Sequence, residues 1–233
     1  MMTSAMHSSS LYIFLILAVY LLISFLSRRF KTILLNGILF TAAILIGFNA
    51  LTHISVDEMT LLTKPLQFLL TPATICLAVP IYKNRSLIIQ YLKVICISLL
   101  VGTITCMVSI AVLSFLFKLN SISMISLIPK SVTTAIALGI SEELGGMVSL
   151  TALSVILTGV FGSIIAHPLC RLLRIRNDIS IGLAIGNSSH AVGTAKAFEV
   201  NNLQGTFSSL SIVIAGLFSV ILAPLIFTVF RLL

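Results

Sequence analysis

The stretch Gly186-Asn-Ser-Ser-His-Ala-Val-Gly-Thr-Ala-Lys196 is a dense polar segment inside an otherwise apolar part of the chain, and a long apolar run follows it at 206–230. A second stretch of the same kind, Ile128-Pro-Lys-Ser-Val-Thr-Thr134, precedes the apolar run 147–170. Irregular backbone at membrane depth is tolerated only where protein or a water-filled cavity satisfies its polar groups. The two stretches therefore predict broken helices inside a membrane protein.

The composition of the whole chain agrees with a membrane protein. Of its 233 residues, 58% are hydrophobic and 9% are charged, whereas a soluble domain has about 45–50% apolar and about 25% charged residues. The net charge is +8, but the basic residues form short clusters between apolar runs, as in integral membrane proteins. We therefore expect a lipid bilayer around the chain and no nucleic-acid partner.

Six apolar runs are long enough to cross a hydrocarbon core, which takes about 20 residues. They are residues 10–27, 32–49, 65–82, 86–117, 147–170 and 206–230. Two more apolar segments, 121–141 and 179–200, are interrupted by Ser, Thr, Asn, Gly or Pro.

The predicted fold is an all-α polytopic integral membrane protein with about six transmembrane helices and two broken or re-entrant segments. We divide it into N-terminal transmembrane helices that act as a scaffold, residues 1–120, and a C-terminal transmembrane unit that contains both polar segments, residues 121–233.

Clusters of Lys and Arg predict the orientation of the spans, because such loops stay cytoplasmic. The clusters are Arg28/Arg29/Lys31, Lys83/Arg85 and Arg171/Arg174/Arg176. With all three inside, the chain leaves outward near Lys118 and starts inward again near Glu142. The segment between them is then a re-entrant hairpin or another fold with an even number of passes.

The second half of the chain contains two similar units. Thr134-Ala-x-Ala137 precedes a glycine pair and Pro168, and Thr194-Ala-x-Ala197 precedes a glycine and Pro224. If each polar segment is re-entrant, the units have opposite topology, which is the inverted-repeat design of many secondary transporters. The alternative is that small residues recur by chance in membrane helices, and the sequence leaves both interpretations open.

The first polar stretch suits an anion. Pro129 favours a helix break, and the N-terminus of a half-helix behind it would present free N–H groups to a carboxylate or phosphate. Lys130 adds a charge, which at membrane depth usually marks a site or pathway. The candidate binding residues here are Lys130, Ser131, Thr133 and Thr134. The alternative is that Lys130 extends to the interface beside Lys118.

The second polar stretch offers more hydrogen-bond donors, and histidine titrates near neutral pH, which suits a coupled proton. Its candidate binding residues are Asn187, Ser188, Ser189, His190, Gly193 and Thr194. Candidates for proton coupling or ion pairing are His190, Glu142, Lys196 and Glu199. The alternative role of the hydroxyl residues is hydrogen bonding between helices.

The chain has no metal-ligand spacing and no glycine motif for phosphates beside a strand. We therefore expect no metal, no cofactor and no enzymatic reaction. Ser189 and His190 are adjacent, and adjacent residues on a helix do not face each other, so a hydrolytic pair is a remote alternative.

Three stretches resemble the LrgB/CidB family. They are Thr71-Pro-Ala-Thr-Ile-Cys-Leu-Ala-Val-Pro-Ile-Tyr-Lys83, Ile128-Pro-Lys-Ser-Val-Thr-Thr-Ala-Ile-Ala137 with Glu143-Leu-Gly-Gly146, and Gly186-Asn-Ser-Ser-His-Ala-Val-Gly-Thr-Ala-Lys-Ala197. The resemblance covers nearly the whole chain. Ala135 departs from the family, which often has proline there.

The resemblance implies two functions. Some members are described as antiholin-like proteins that influence murein hydrolase activity and cell lysis together with a small LrgA/CidA-type membrane protein. Others are linked to transport of small carboxylates: pyruvate in bacteria, and glycolate and glycerate in plant plastids, by a protein that resembles a fusion of the small partner with this domain.

We therefore expect a transporter, or transporter subunit, for small monocarboxylates such as pyruvate or glycolate. It would be a homo-oligomer in the bacterial inner (cytoplasmic) membrane with an LrgA/CidA-type partner. An antiholin-like regulator of murein hydrolase activity is the alternative.

Overall fold

The computed structural model describes residues 2–30, 37–52 and 54–231, and within these ranges it contains helices and no strand. The helices are α1 Met2–Phe30, α2 Gly37–Thr52, α3 Val56–Cys76, α4 Ala78–Lys83, α5 Arg85–Leu116, α6 Ser121–Leu127, α7 Thr134–Glu143, α8 Val148–Leu172, α9 Asp178–Val200 and α10 Asn202–Arg231. The predicted all-α polytopic membrane fold is confirmed.

Within the described ranges, five helical stretches are long and apolar enough to cross a membrane. They are Ser9–Leu26, Asp57–Lys83, Arg85–Leu116, Val148–Leu172 and Asn202–Phe230. The structure describes the remaining predicted span, 32–49, from residue 37 on, and this part lies in α2, a shorter apolar helix of 16 residues. Residues 31–36, including Lys31, and the side chains of Arg28 and Arg29 lie outside the described part of the structure.

The chain forms two compact units, Met1–Cys76 and Leu77–Leu233. In the first unit, side-chain contacts join α1, α2 and α3. The Tyr12 hydroxyl donates to Asn49 Oδ1 at 2.8 Å, and Asn49 Nδ2 lies 2.9 Å from Met59 Sδ. The predicted scaffold of residues 1–120 is a functional division, and it stays a prediction.

In the second unit, α6, the turn 128–133 and α7 fold back on themselves, and we call residues 121–143 hairpin 1. The Met147 N–H after α7 donates to Ser126 Oγ near the end of α6 at 2.7 Å. A Cβ atom at Gly146 would lie 2.9 Å from Ile125 Cγ2. Ile128 and Ile140 share one apolar cluster. The chain therefore leaves and returns at the same place, as a re-entrant segment requires.

Helix α9 also folds back, and we call residues 178–200 hairpin 2. A straight helix of 23 residues would be about 34 Å long. Instead, Asn201 Nδ2, just beyond its end, donates to Asp178 Oδ2 at its start at 2.9 Å. Gln204 Nε2 donates to the other oxygen of Asp178 at 2.7 Å. The reversal occurs at His190, the one residue inside α9 with non-helical backbone angles (φ 41°, ψ −136°).

The two hairpin units follow the same order. Hairpin 1 is followed by α8, which contains Pro168, and hairpin 2 is followed by α10, which contains Pro224. The two arms of hairpin 2 and helix α7 of hairpin 1 have ten to twelve residues and are about 15–18 Å long, half the thickness of a hydrocarbon core of about 30 Å, whereas α6 with seven residues is shorter, about 10 Å. A hairpin whose base lies at one interface therefore places its tip near the middle of the membrane.

Hairpin 2 packs closely on α10 because glycines remove side chains from the contact. A Cβ atom at Gly182 would overlap the backbone of Gln204, and one at Gly186 would overlap Ser208 O and lie 2.6 Å from Ser211 Cβ. Ser211 Oγ uses this closeness to donate to Leu183 O at 3.0 Å. Small residues four apart commonly let membrane helices approach in this way.

Substitution at Gly186 tests this packing. We expect Gly186→Ala to lower stability by about 1–3 kcal/mol, because the added methyl group overpacks a close helix contact. The measurement is thermal unfolding of the purified protein in detergent. The matched control is Gly139→Ala in α7, where an added Cβ meets nothing within 4 Å. Equal melting temperatures for both variants would contradict the packing described here.

Candidate functional site

The tips of both hairpins line one small cavity in the second unit. Its walls are Thr103, Cys106 and Met107 of α5, Pro129, Ser131 and Val132 of hairpin 1, Asn187 of hairpin 2 and Ser219 of α10. The cavity is partly open and narrow: the space available to the centre of a water-sized sphere is about 10 Å³. Ser131 and Asn187, which come from the two polar stretches of the sequence, thus meet at one place.

Hairpin 1 contributes a turn followed by a helix N-terminus. The turn is closed by the Lys130 N–H, which donates to Leu127 O at 3.2 Å, and the Val132 N–H, which donates to Pro129 O at 3.3 Å. Thr133 is the extended N-cap of α7, without a capping bond from its side chain. The first N–H groups of a helix have no partner within the helix, so donors are concentrated beside Val132.

Hairpin 2 contributes the side chain of Asn187. Thr103 Oγ1 donates to Asn187 Oδ1 at 3.0 Å, which fixes the orientation of the amide. Asn187 Nδ2 lies against Gly102, where any Cβ would overlap it. Cys106 Sγ lies 2.8 Å from Ser131 Oγ. Helix α5 therefore holds both hairpin tips through two adjacent turns.

Lys130 follows the lining residue Pro129 and is half-buried. Within the described ranges its ammonium group has no ion pair, since the salt bridge found there joins Lys196 to Glu199. Its side chain thus places a positive charge without an ion pair beside the turn of hairpin 1.

Other candidates of the second polar stretch are buried against neighbouring helices instead of lining the cavity. His190 Nε2 lies 3.0 Å from Val155 O, and its ring packs on Gly159 of α8. Ser189 packs on Gly162. Thr194 Oγ1 donates to His190 O at 2.8 Å and lies 2.6 Å from Ser208 Oγ of α10.

Gly193 is also buried, and a Cβ atom there would lie 2.9 Å from Ile185 Cγ2 on the other arm of hairpin 2. These contacts hold hairpin 2 in its folded-back shape.

The remaining candidates do not line the cavity either. Thr133 is half-buried at the start of α7, and Thr134 is exposed. Ser188 is exposed and donates to Ala184 O at 2.8 Å. Glu142 is exposed. Lys196 and Glu199 form an exposed ion pair of 2.8 Å.

Sequence reasoning missed the contributions of α5 and α10. Gly102, Thr103 and Cys106 stand close together inside a long apolar helix, a weak signal that was present in the sequence. Ser219 is a lone serine in an apolar run, and nothing in its local sequence distinguishes it from a serine that bonds within its own helix.

Fold and site together define a multi-pass α-helical membrane protein in which two helical hairpins and two long helices line a small cavity. Residues 16–229 match the model of the LrgB-like family. The chain belongs to the LrgB-like family.

Relatives in several bacteria cover most of the chain. An uncharacterised protein, YwbG, of Bacillus subtilis is 35% identical over 212 residues, 91% of this chain and 94% of its own length. An uncharacterised protein of Haemophilus influenzae is 32% identical over 217 residues, 93% of this chain and 94% of its own. The holin-like protein CidB of Staphylococcus epidermidis is 36% identical over 161 residues, 69% of this chain and 70% of its own. No solved structure matches the chain.

The contact between hairpin 1 and α5 can be tested by cross-linking. In a chain whose cysteines at positions 76, 96 and 170 are replaced by serine, we expect Ser131→Cys to form a disulfide with the native Cys106 on oxidation, because these two side chains are in contact. Intact mass and a maleimide gel shift measure the bond. Ser188→Cys in the same background is the control, and its exposed thiol should stay free. A free thiol at position 131 after oxidation would argue against the contact.

Proposed function

We propose that this protein is a transporter, or the membrane-spanning subunit of one, for small monocarboxylates such as pyruvate or glycolate. The observation that carries this proposal is the cavity in which Ser131 and Asn187 converge from two re-entrant hairpins. Paired broken helices that meet around a site near the bilayer midplane are typical of secondary transporters. The substrate would bind between the hairpin tips and cross the membrane without chemical change or a cofactor.

The charges around the cavity favour an anionic substrate. None of its lining residues is acidic. Lys130 follows the lining residue Pro129. The N-terminus of α7, which has a partial positive charge, follows the lining residue Val132. Asn187, a lining residue, carries one more donor group, Nδ2, which packs against Gly102 of α5.

The narrowness of the cavity favours a small substrate. Pockets for drug-sized ligands have volumes of about 300–1,000 Å³, whereas the space open to the centre of a water-sized sphere in this cavity is about 10 Å³, enough for about one water molecule. In the proposed mechanism the hairpin tips therefore move apart to admit a substrate, and a two- or three-carbon acid requires the smallest movement.

Movement of the hairpins would give alternating access to the site. Hairpin 2 is held at its base by the Asn201–Asp178 bond, and in hairpin 1 the Met147–Ser126 bond ties the chain after α7 to the end of α6. A hairpin fixed at its base can open at its tip while its ends stay in place. His190 at the tip of hairpin 2 is the residue we propose for proton coupling, since histidine changes charge near neutral pH.

We further propose that the protein lies in the inner (cytoplasmic) membrane of a bacterium, as a homo-oligomer with an LrgA/CidA-type partner. Its spans are helical, whereas single-chain proteins of bacterial outer membranes are β-barrels. The partner follows from the family resemblance, so uptake has to be measured with and without it.

Transport by purified protein in liposomes tests the proposal. We expect uptake of labelled pyruvate or glycolate, and a loss of about 10- to 100-fold at limiting substrate in Lys130→Met and Asn187→Ala. A hydrogen bond to a charged group contributes about 1.5–3 kcal/mol, which corresponds to that range. Lys196→Gln removes an exposed cation and serves as the matched control with unchanged uptake.

Two results would count against transport through this cavity. One is the absence of uptake under any ion gradient, with or without the small partner. The other is uptake at the wild-type rate by Lys130→Met and Asn187→Ala. Reduced uptake by Lys196→Gln as well would indicate that loss of any cation impairs the protein and that the cavity has no special role.

The second candidate function is an antiholin-like or holin-like regulator of murein hydrolase activity and lysis. The observation in its favour is the name of the Staphylococcus relatives, holin-like protein CidB. A pore formed by self-assembly needs no convergent polar cavity, so the cavity favours transport. Altered carboxylate flux would also change lysis indirectly through membrane energisation.

A transport-dead variant separates the two functions in cells. In a bacterial strain that lacks its own relatives of this protein, we expect any effect of the protein on lysis to disappear in Asn187→Ala, because lysis follows from flux. Autolysis is measured as the loss of culture turbidity, with membrane levels of the protein matched. A lysis effect that persists in this variant would favour a direct regulatory role.

A further inference from the structure

The hydroxyl group of Ser219 is the exception among the polar groups of α10. Ser219 is 0% exposed and lines the cavity, and its Oγ has no hydrogen-bond partner. Buried hydroxyl groups are costly when they are not hydrogen-bonded.

Other hydroxyl groups of α10 show how this helix normally satisfies them. Some donate to the carbonyl oxygen four residues earlier in the helix, at 2.8 Å: Thr206, Ser209 and Thr228. Others bond to hairpin 2: Ser208 with Thr194 Oγ1, and Ser211 with Leu183 O. Ser219 does neither, and it is the one that lines the cavity.

The other polar groups of the cavity wall are already engaged with each other. Ser131 contacts Cys106, and Thr103 bonds to the amide oxygen of Asn187. Ser219 therefore stands apart as a hydroxyl group whose bonding capacity is unused. A serine hydroxyl group both donates and accepts, so it suits a hydroxyl or a carbonyl oxygen of a ligand.

We infer that Ser219 is a specificity-determining residue that binds a second oxygen of the substrate, on the carbon next to the carboxylate. This inference rests on the proposed function, in which the carboxylate is bound at the hairpin tips by Lys130 and Asn187. Ser219 comes from α10 and borders the same cavity. Because Ser219 and Asn187 line the same narrow cavity, a ligand that contacts both is small, and its second oxygen lies on a carbon close to its carboxylate.

The consequence is discrimination between acids of the same size. An acid with a methylene group at that carbon leaves the Ser219 hydroxyl unpaired, and sites built to bond a hydroxyl group reject analogues that lack it. Lactate and propionate have the same carbon chain and differ in this oxygen. The protein binds lactate more tightly than propionate, by up to about tenfold, the effect of one neutral hydrogen bond.

The test is competition of lactate and propionate with labelled pyruvate on the full-length protein, in liposomes and by direct binding in detergent. In Ser219→Ala, affinity for lactate falls by up to about tenfold and that for propionate is unchanged or rises, so the preference is lost. Ser209→Ala is the matched control, because Ser209 is equally buried in α10 but bonds within its own helix. This variant keeps the preference.

Ser219→Cys is the second variant, of similar size and with a weaker donor. Ser219→Cys shows a preference for lactate over propionate that lies between those of the wild type and Ser219→Ala. If Ser219→Ala does not fold, Ser219→Cys takes its place in the test. An equal loss of affinity for both acids in Ser219→Ala would overturn the inference and show a purely structural serine. A wild-type protein that binds both acids equally would overturn it too. Failure to bind either acid would instead overturn the proposed function together with the inference.

Discussion

The reversal of the chain at His190 is the constraint on which the rest of the second unit depends. Its backbone angles, φ 41° and ψ −136°, lie in a region that favours glycine and costs other residues about 1–3 kcal/mol. Two kinds of contact offset this strain: the bond of the imidazole to Val155 O and the closing of the hairpin base by Asp178 and Asn201. Without the reversal, α9 would be a simple span, and its two ends would lie on opposite sides of the membrane.

The neighbouring helices have small residues where they contact the reversal, so that they can pack closely against its polar backbone. A hairpin tip at membrane depth exposes polar backbone, which protein or cavity water has to satisfy. Gly102 of α5 and Gly159 and Gly162 of α8 allow the tip to approach so closely that any Cβ there would crowd Asn187, His190 or Ser189. The small residues that look like ordinary helix-packing positions in the sequence are therefore part of the construction of the cavity.

The sequence predicts the two hairpin-and-helix units and the convergence of their polar stretches well, because polar groups inside apolar runs are an unusual and local signal. It predicts poorly which side of each stretch faces the cavity. Ser188, Ser189 and Asn187 are neighbours in the sequence, yet one is exposed, one packs on α8 and one lines the cavity. Which of these three residues lines the cavity depends on the angle of the turn at His190. The position of Ser219 at the cavity depends on tertiary packing alone.

The positive charge at the hairpin tips gives the strongest physical argument about what the cavity binds. A cation beside a helix N-terminus is unfavourable, and a lysine within a membrane costs about 2.5–3.5 kcal/mol at the centre of a span. Lys130 nevertheless stands four residues before the first residue of α7. None of the cavity residues is acidic, so no carboxylate of the cavity wall offsets these two unfavourable free energies. Under the proposed function, an arrangement that is unfavourable when empty would become favourable once a carboxylate substrate binds. The exposed positions of the two carboxylates beside hairpin 1, Glu142 and Glu143, suit this proposal, because a carboxylate inside the cavity would neutralise Lys130 and compete with an anionic substrate.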